Sequence, residues 1–349
     1  IAREMVMRYW MYEEIGRENF AWDRSSWNHL WVSEEKHISE KAKEKIDKKI
    51  FRITAFDKKN LPIIAFQIIK ETAKRGSYLT IAGGPLLNWD VISKNNLKEL
   101  IKFIRKTAKK EHCSFIRFRP QTIDTLGLRK TLKQLGAIPA PMHLTADLTL
   151  QLDLTKTTET ILKEMRKNTR YEIRQIEKKN ISVTQSKNPK DIRAFFEQQL
   201  SLAKKHHFVP FSYKFLLEQF KIFAENDNVV LFSSFQGKKL LASAFIIFYN
   251  KEAVYHYGIS TADNYRLPGS YACQWAAIEE AKKRNCTKYN FWGIAPKEEQ
   301  EHRFAGVSLF KRGFGGQEVA YLPAYDIPTS FSYWGVYAFE LLRKKLRKL

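Results

Sequence analysis

The chain of 349 residues carries 60 lysine and arginine residues against 37 aspartate and glutamate residues, a formal net charge of +23 at pH 7. Such an excess attracts polyanions, either a nucleic acid or an anionic lipid surface, although a lysine-rich composition alone produces the same charge. Hydrophobic residues at 44% and aromatic residues at 13% argue against a disordered protein, and the length suits about two domains.

Cysteine usage and hydropathy narrow the class of protein further. Cys113, Cys273 and Cys286 are too few for a disulfide scaffold and too far apart in sequence for a CxxC site, which suits a reducing cytoplasm. The longest apolar run, Leu240 to Phe248, has the length of a strand and is too short for a membrane span. The N-terminal residues mix both charges and show no secretory signal. We therefore expect a cytoplasmic protein without a bound metal.

The first part of the chain predicts a sheet, a helix and a further strand. Residues 1–50 read as helix-rich. Three segments that alternate or run apolar then predict an antiparallel meander. These segments are Phe51 to Phe56, Leu61 to Ile69 and Ser77 to Ala82. Apolar residues at helical spacing follow from Leu97 to Lys110, and His112 to Arg119 predicts a strand.

Two arginines, Arg117 and Arg119, end that strand. Because side chains alternate between the faces of a strand, both guanidinium groups point to the same side. Adjacent cations favour a bound anion, and a solvated edge of the sheet is the alternative.

The segment Thr155 to Asn180 is predicted as one amphipathic helix. Its apolar stripe includes Ile161, Met165 and Thr169, with successive residues about 100° apart. Six cations share the opposite arc: Lys163, Arg166, Lys167, Arg170, Arg174 and Lys178. Such a face suits the phosphates of a nucleic acid, and a plain solvated face is the alternative.

The pattern of strands and helices restarts after a strand over Thr145 to Leu154, so we place a domain boundary near there. Strands are predicted over Val229 to Phe235, Leu240 to Phe248, Ala253 to Ile259 and Lys288 to Trp292. Helices are predicted over Ile192 to Lys205, Phe215 to Ala224 and Tyr271 to Arg284. The first three of these strands predict a second meander.

The stretch from Phe291 to Asp326 is the main candidate for a site. Lys311 is flanked in sequence by Phe310 and Phe314, which predicts a cation between two apolar rings. Three glycines within Gly313 to Gly316 would allow a ligand to approach the main chain. A cation in a partly dry cleft stabilises a developing oxyanion. The alternative is an ordinary tight turn between strands, with Lys311 in solvent.

Several motifs resemble one known family in the same order along the chain. They are AGGPLLNWD, RFRPQ, the segment from LDLTKTTETILKEM to NISV, YNFWGI, AGVSLFKRGFGG and AYDIP. The chain resembles the FemABX peptidoglycan-bridge aminoacyltransferases over nearly its whole length. That resemblance implies an α+β fold of two tandem GNAT-like domains, each a mostly antiparallel mixed sheet flanked by helices. The first would span residues 1–150, completed by residues 320–349, and the second residues 151–319.

The activity that the resemblance implies is transfer of an amino acid from aminoacyl-tRNA, as co-substrate, to an amine of the stem peptide of a peptidoglycan precursor. Such transfer builds interpeptide bridges, and no further cofactor is implied. No inserted coiled-coil arm is visible in the sequence, so the chain resembles the compact form of the family. We expect a monomer.

The resemblance also implies roles for individual residues. Lys311 would stabilise the oxyanion or the phosphate of the leaving group, with Phe310 packed beside it. Tyr257 would contact the substrate. Further substrate-binding residues implied in this way are Tyr213, Lys214 and Trp27. The cations Lys163, Arg166, Lys167, Arg170 and Arg174 would contact tRNA phosphates.

The sequence departs from the family at two places. The branch that uses nucleotide-linked precursors clamps phosphates with an arginine and a lysine, whereas this chain has the segment VPFSY and the neutral Leu30 and Trp31 there. A lipid-linked precursor is therefore favoured. The loop from Arg266 to Ser270 has the layout that binds acyl-CoA before a helix, but Tyr271 stands where that loop needs a small residue. We interpret this as the architecture without the coenzyme site.

Alternative functions remain at this stage. One is an acyl-CoA-dependent N-acyltransferase, and another is a non-catalytic protein that binds tRNA or a membrane surface. The last helix, Ser332 to Leu349, is basic and amphipathic, so it either lies on the inner face of the membrane or packs on the first domain.

No general base stands out from the sequence. The candidates are His206, His207, His256, Asp263 and Glu298. Cys286 with His302 or His256 is a conceivable pair of nucleophile and base, but a buried structural thiol is the commoner case.

Overall fold

The structure is a computed structural model that describes residues 29–33, 50–56, 62–73, 75–90, 92–206 and 210–346. Trp27 and His207 fall outside these residues. The chain forms two compact units. The first comprises residues 1–147, 301–303 and 320–349, and the second residues 148–300 and 304–319.

A seven-stranded mixed sheet with the order β1-β2-β3-β4-β5-β14-β6 forms the first unit. Its strands are β1 (His29–Ser33), β2 (Ile50–Phe56), β3 (Pro62–Ala73), β4 (Gly76–Gly83), β5 (Phe115–Pro120), β6 (Ile138–Pro139) and β14 (Tyr325–Pro328). Its helices are α1 (Lys94–Lys110), α2 (Leu126–Gln134) and α9 (Tyr333–Leu346). The antiparallel meander β2-β3-β4 is confirmed. Residues 29–33 are a strand paired with β2, within the segment 1–50 that the sequence reads as helix-rich.

Arg117 and Arg119 do not form a site for an external anion, and they are not solvated. Arg117 donates two hydrogen bonds of 2.8 Å to Asp326 and one of 2.7 Å to Glu340. Arg119 bonds Gln121 and the carbonyl of Ala146. Asp326 on β14 and Glu340 on α9 are the anions that Arg117 binds, and Asp147 is the carboxylate beside Arg119, at 3.7 Å.

The second unit is built on another seven-stranded sheet, with the order β13-β7-β12-β11-β10-β9-β8. Its strands are β7 (Leu148–Asp153), β8 (Ile181–Ser186), β9 (Val229–Gln236), β10 (Lys239–Tyr249), β11 (Glu252–Ser260), β12 (Lys288–Gly293) and β13 (Gln317–Ala320). Its helices are α3 (Thr158–Glu164), α4 (Lys167–Lys178), α5 (Ile192–His206), α6 (Tyr213–Glu225), α7 (Gly269–Lys283) and α8 (Ala305–Arg312). The predicted second meander is confirmed as β9-β10-β11.

Strands β11 and β12 are parallel, and their pairing stops before either strand ends. Their pairing runs only from Glu252 opposite Lys288 to Val254 opposite Asn290. Strand β11 continues to Ser260 and β12 to Gly293. The two strands are therefore unpaired beyond Val254 and Asn290.

A bulge in β11 turns two tyrosines to opposite faces of the sheet. Tyr255 lies opposite Ile246 and Tyr257 opposite Phe245, so His256 is the extra residue. Neighbouring residues of a strand point to opposite faces, whereas cross-strand partners share one. Tyr255 therefore shares the face of the core beneath α7, and Tyr257 shares the other face with Phe245.

The predicted single helix from Thr155 to Asn180 is wrong, because the chain breaks it into α3 and α4. Met165 and Arg166 have ψ angles of 151° and 145°, which are extended. The Arg166 amide donates to the carbonyl of Gly313 at 2.9 Å instead of to its own helix. Arg170 donates to the carbonyls of Lys163, at 3.0 Å, and Met165. Contacts from outside the helix thus satisfy the groups that the break leaves open.

Candidate functional site

Helix α8 places three side chains against the chain that leaves β12. The Nζ of Lys311 donates to the carbonyl of Gly293 at 2.7 Å. The hydroxyl of Ser308 accepts from the amide of Ala295 at 2.8 Å, and Arg312 donates to the Ala295 carbonyl at 2.6 Å. Residues three or four apart share a helix face, so Ser308 and Lys311 meet the same segment. The segment SLFKRGFGG is therefore helical at first, and a tight turn between strands is the wrong interpretation of it.

Lys311 is buried where β11 and β12 are unpaired. Its exposed fraction is 8%, and its Nζ lies 5.7 Å from the centroid of the Tyr255 ring. Loss of water around the amine lowers its pKa to about 7. Both protonation states are therefore present near neutral pH. The ammonium can stabilise an oxyanion and the amine can accept a proton. Because the side chain is buried, the alternative of a solvated Lys311 is wrong.

The ring beside Lys311 is not one of its sequence neighbours. Phe310 and Phe314 pack against each other at 5.3 Å and against Tyr271 at 5.0 and 5.8 Å. Successive helical residues point about 100° apart, so Phe310 and Lys311 point in different directions. The ring over which the amine of Lys311 lies is that of Tyr255.

The carbonyl that Lys311 binds follows a strained residue. Trp292 has a φ of 62°, which is unusual for a bulky side chain. The side chain of Asn290 holds this bend by accepting from the Trp292 amide at 2.8 Å. Strain of this kind, of order 1–3 kcal/mol, is concentrated at functional sites. Sequence reasoning missed Trp292, and its only signal is the glycine that ends the strand pattern of YNFWGI.

The glycines after Lys311 make room for the chain and not for a ligand. A Cβ at Gly313 would lie 2.4 Å from the hydroxyl of Thr169. One at Gly315, where φ is +81°, would lie 2.9 Å from the carbonyl of Glu164. The end of α8 and the break between α3 and α4 are thereby in direct contact.

This contact brings part of the predicted phosphate-binding face to the helix of Lys311. Arg166 bonds the Gly313 carbonyl through its amide, and its side chain is exposed. Lys163, Lys167 and Arg174 are exposed as well. Arg170 is half-buried and caps α3, so its assignment to a phosphate is replaced by a structural role. Because the helix is broken, the cations do not share one straight arc.

Tyr257 lies on the other face of the sheet from Lys311. Its ring packs against Phe211 at 5.3 Å, Phe245 at 5.7 Å and His256 at 3.9 Å. Burial raises the pKa of its hydroxyl. At neutral pH the hydroxyl is protonated.

Buried polar atoms without a hydrogen-bond partner among the described residues occur on β11, α6 and α5. Both ring nitrogens of His256, both amide atoms of Gln219 and the amide oxygen of Gln199 have no hydrogen-bond partner within the described part of the chain. Their exposed fractions are 5%, 6% and 7%. Burial lowers the pKa of His256 well below its usual value, so the ring is neutral. An unsatisfied buried group costs about 1–3 kcal/mol, so such groups are ordinarily paired, with protein groups, ordered water or a ligand.

Tyr213 and Lys214, both on α6, lie on the same side of the sheet as Tyr257. Tyr213 begins α6, and its ring packs on α5 against Phe196 at 5.6 Å, with the guanidinium of Arg193 at 4.5 Å. Lys214 is exposed. Helices α5 and α6 pack together, and α5 also contacts β11.

The loop that resembles a coenzyme site is filled by its own side chains. The Gly269 amide at the start of α7 is bound to the Asn264 side chain at 2.9 Å. A Cβ at Gly269 would lie 2.5 Å from the Cβ of Leu241. Tyr271 packs into the aromatic cluster with Phe310.

The cysteine thiols and the grouping of metal-binding side chains can be assessed for the described residues. Burial raises the pKa of Cys286 to about 11 and that of Cys273 to about 12, so neither is a thiolate at neutral pH. Within the described ranges no three histidine, cysteine or acidic side chains are grouped to hold a metal ion. None of the helices described is both long and apolar enough to span a bilayer.

Comparison with solved structures shows the fold. The crystal structure of FemX superposes with a TM-score of 0.71 at 14% identity, over 84% of this chain and 90% of that one. A tandem GNAT protein from the clavulanic acid biosynthesis pathway has a TM-score of 0.54 at 9% identity, over 81% of this chain and 84% of that one. The predicted α+β fold of two tandem GNAT-like domains is confirmed.

Sequence comparison concerns the second unit and the C-terminal segment. Residues 231–340 match the model of the FemAB family. Aminoacyltransferase FemA of Staphylococcus epidermidis is 32% identical over 113 residues, which are 32% of this chain and 26% of that protein. The match thus spans about a quarter of the length of this curated relative. The resemblance to the FemABX family that the sequence predicts is thereby confirmed over residues 231–340.

Proposed function

We propose that the chain transfers an amino acid from aminoacyl-tRNA to an amine of the stem peptide of a peptidoglycan precursor. The observation that carries the proposal is the buried amine of Lys311, bonded to the Gly293 carbonyl where β11 and β12 separate. This amine lies within the segment that matches the FemAB family.

The geometry supports a role for Lys311 in the addition step. Attack of an amine on the aminoacyl ester forms a C–N bond and places negative charge on the carbonyl oxygen. An ammonium in a dry setting stabilises that charge strongly, and removal of one such donor lowers kcat by about 10²–10³. Collapse then expels the tRNA hydroxyl, which gains the proton that the attacking amine loses.

The exposed cations near the break between α3 and α4 support the assignment of the donor. Arg166 lies beside Gly313, two residues from Lys311. Lys167 and Arg174 extend the positive surface along α4. Phosphate contacts position a nucleic acid without reading its sequence, as a tRNA acceptor arm requires.

The buried polar atoms on β11, α6 and α5 support the assignment of the acceptor. A peptide offers amide donors and carbonyl acceptors, which would satisfy the imidazole of His256 and the amides of Gln219 and Gln199. Beyond Val254 and Asn290, where β11 and β12 are unpaired, an acceptor amine would reach Lys311 from that face. We favour a lipid-linked precursor, because the sequence replaces the phosphate clamp of the nucleotide-using branch.

Acyl-CoA is the less favoured donor. The helix amide that a pyrophosphate would need at Gly269 is bound to Asn264, and Tyr271 fills the space beside Phe310. Calorimetry with acetyl-CoA tests this directly, and micromolar binding would favour the acyl-CoA reaction over the tRNA-dependent one.

The proposal is tested by incubating the full chain with a mixture of charged tRNAs and a lipid-linked disaccharide pentapeptide. Mass spectrometry should show the acceptor heavier by one or more amino acid residues, and the increment identifies the amino acid. An unchanged acceptor with every charged tRNA, from a protein that melts cooperatively, would overturn the proposal.

A further inference from the structure

The last helix, α9, packs on the first unit through polar contacts. Tyr333 is fully buried and donates to the Asp326 carboxylate at 3.2 Å. Glu340 accepts from Arg117 at 2.7 Å. With residues about 100° apart, Tyr333 and Glu340 lie within about 20° of each other on the helix wheel. They define the side of α9 that faces the sheet.

The outward side of α9 is almost entirely apolar. Its residues, in order around an arc of about 160°, are Leu341, Trp334, Lys345, Ala338, Leu342, Gly335, Leu346 and Phe339. Trp334 is 48% exposed, Leu342 57% and Leu346 75%. Phe331, just before the helix, is 91% exposed. A helix on the surface of a protein in water ordinarily has the reverse arrangement, and a contiguous exposed apolar surface of this kind marks an interaction site.

The charges around this apolar surface indicate which kind of partner it binds. Arg343 lies in the last turn at the edge of the apolar arc, and Lys345 lies within the arc itself. The guanidinium of Arg75 lies over the Phe339 ring at 3.8 Å. Glu340 is the one carboxylate of α9, and Arg117 engages it. An apolar face with a cationic rim is complementary to an anionic lipid surface, where the apolar residues enter the acyl region and the cations meet the headgroups.

We propose that the outward face of α9, together with Phe331, docks on an anionic lipid bilayer with the helix parallel to the surface. The helix therefore has both roles that its sequence allows: it packs on the first unit through Tyr333 and Glu340 and leaves the apolar face for lipid. This docking does not depend on the transferase reaction. It would hold for a chain with no transferase activity.

Co-sedimentation of the full chain with vesicles tests the proposal. Vesicles of phosphatidylcholine mixed with phosphatidylglycerol should bind the protein, and pure phosphatidylcholine should bind it far less. The double substitution Trp334→Ala with Leu342→Glu should lower partitioning by at least about a hundredfold, the effect of losing two buried apolar side chains. Lys345→Gln should lower it about fivefold, the effect of one cation near an anionic surface.

Leu126→Glu is the matched control, because Leu126 is 77% exposed on α2 of the same unit, away from α9 in sequence. It should leave partitioning unchanged. A cooperative melt at the wild-type temperature establishes that each variant is folded. Failure of the wild type to bind the mixed vesicles, or equal binding of the Trp334 and Leu342 variant, would overturn the proposal. So would self-association in sedimentation that the same variant abolishes, since a second copy of the chain would then cover the face.

Discussion

At the scale of single residues, the burial of Lys311 is unfavourable for folding, and a function for its amine explains why it is there. Lysine is rarely buried, and its charged form is destabilised when water is removed. Here the Nζ has one hydrogen bond, to Gly293, within the described residues, and a pKa of about 7. A buried side chain that opposes folding and lies beside a strained backbone is the pattern expected of a reactive group.

The thermodynamic consequence is a dependence of stability on pH. The pKa of Lys311 is about 7 in the folded chain against 10.5 for a free lysine, so the unfolded chain holds the proton more tightly. The resulting destabilisation is full below about pH 7 and disappears as pH rises towards 10.5. Lys311→Met should raise the free energy of unfolding by on the order of 2–4 kcal/mol at pH 7 and by much less near pH 10.

Urea denaturation at both pH values measures this difference. Lys238→Met, in the exposed turn between β9 and β10, is the matched control and should leave stability unchanged at either pH. A Lys311→Met protein that is less stable than the wild type at pH 7 would show that the hydrogen bond to Gly293 outweighs the burial of charge.

The same pKa predicts the pH dependence of the proposed reaction. If the ammonium stabilises the oxyanion, kcat should fall as pH rises through about 7, because Lys311 loses its proton there. The profile is measured with saturating charged tRNA and acceptor. A kcat that rises through pH 7 would instead assign to Lys311 the role of a base.

At the scale of elements, the break between α3 and α4 separates two kinds of cation. Arg170 caps α3 by binding the carbonyls of Lys163 and Met165, whereas Arg174 is exposed one turn further along α4. Arg170→Ala should lower the free energy of unfolding by about 1–2 kcal/mol, because it leaves carbonyl groups without donors. Arg174→Ala should not change stability but should weaken tRNA binding and reduce its salt dependence by about one phosphate contact.

Thermal melts and fluorescence anisotropy with tRNA at several salt concentrations distinguish these two roles. If Arg170→Ala and Arg174→Ala reduce the salt dependence of tRNA binding equally, both arginines contact phosphates, as the predicted unbroken helix implies. Equal effects on stability would remove the capping role of Arg170.

The junction between α8 and α4 depends on the absence of a side chain at Gly313. A Cβ there would lie 2.4 Å from the Thr169 hydroxyl and 3.0 Å from the Phe310 carbonyl, so Gly313→Ala should destabilise the protein by about 1–3 kcal/mol. Gly306 is in the same helix with nothing within 4 Å of its Cβ position. Gly306→Ala should therefore stabilise by up to about 1 kcal/mol. Opposite signs in urea denaturation are expected, and a neutral Gly313→Ala would show that the junction is loose.

At the scale of the whole molecule, the first unit is closed by a segment from the far end of the chain. Strand β14 lies between β5 and β6, and Arg117 of β5 binds Asp326, which is 209 residues away in sequence. Asp326 is fully buried, so Arg117→Met would leave its carboxylate without its cation. We expect a loss of about 3–5 kcal/mol in the free energy of unfolding.

A double variant, Arg117→Met with Asp326→Leu, provides the control for that prediction. It should recover part of the lost stability, since removal of both buried charges is far less harmful than removal of one. Calorimetry measures both. If Arg117→Met alone melts like the wild type, the Arg117–Asp326 pair contributes nothing to closing the first unit.

The parts of this structure that the sequence predicts are those set by local pattern. The two meanders follow from alternation in segments such as Phe51 to Phe56, because side-chain direction in a strand depends only on neighbouring residues. The break between α3 and α4 does not follow from local pattern, because the Arg166 amide donates to the Gly313 carbonyl, 147 residues away in sequence. Likewise, the bulge at His256 lies inside a regular alternation, and it is the bulge that sends Tyr257 to the face opposite Tyr255.

The central claim is that the amine of Lys311 acts in the chemical step, and single-turnover transfer by Lys311→Met tests it most directly. The variant is mixed in excess with one charged tRNA and the lipid-linked acceptor, with Lys238→Met in parallel, and tRNA binding is measured separately. The account predicts a rate constant lower by at least about 10²-fold, with tRNA affinity and cooperative folding retained. Transfer by Lys311→Met at the rate of Lys238→Met would contradict it.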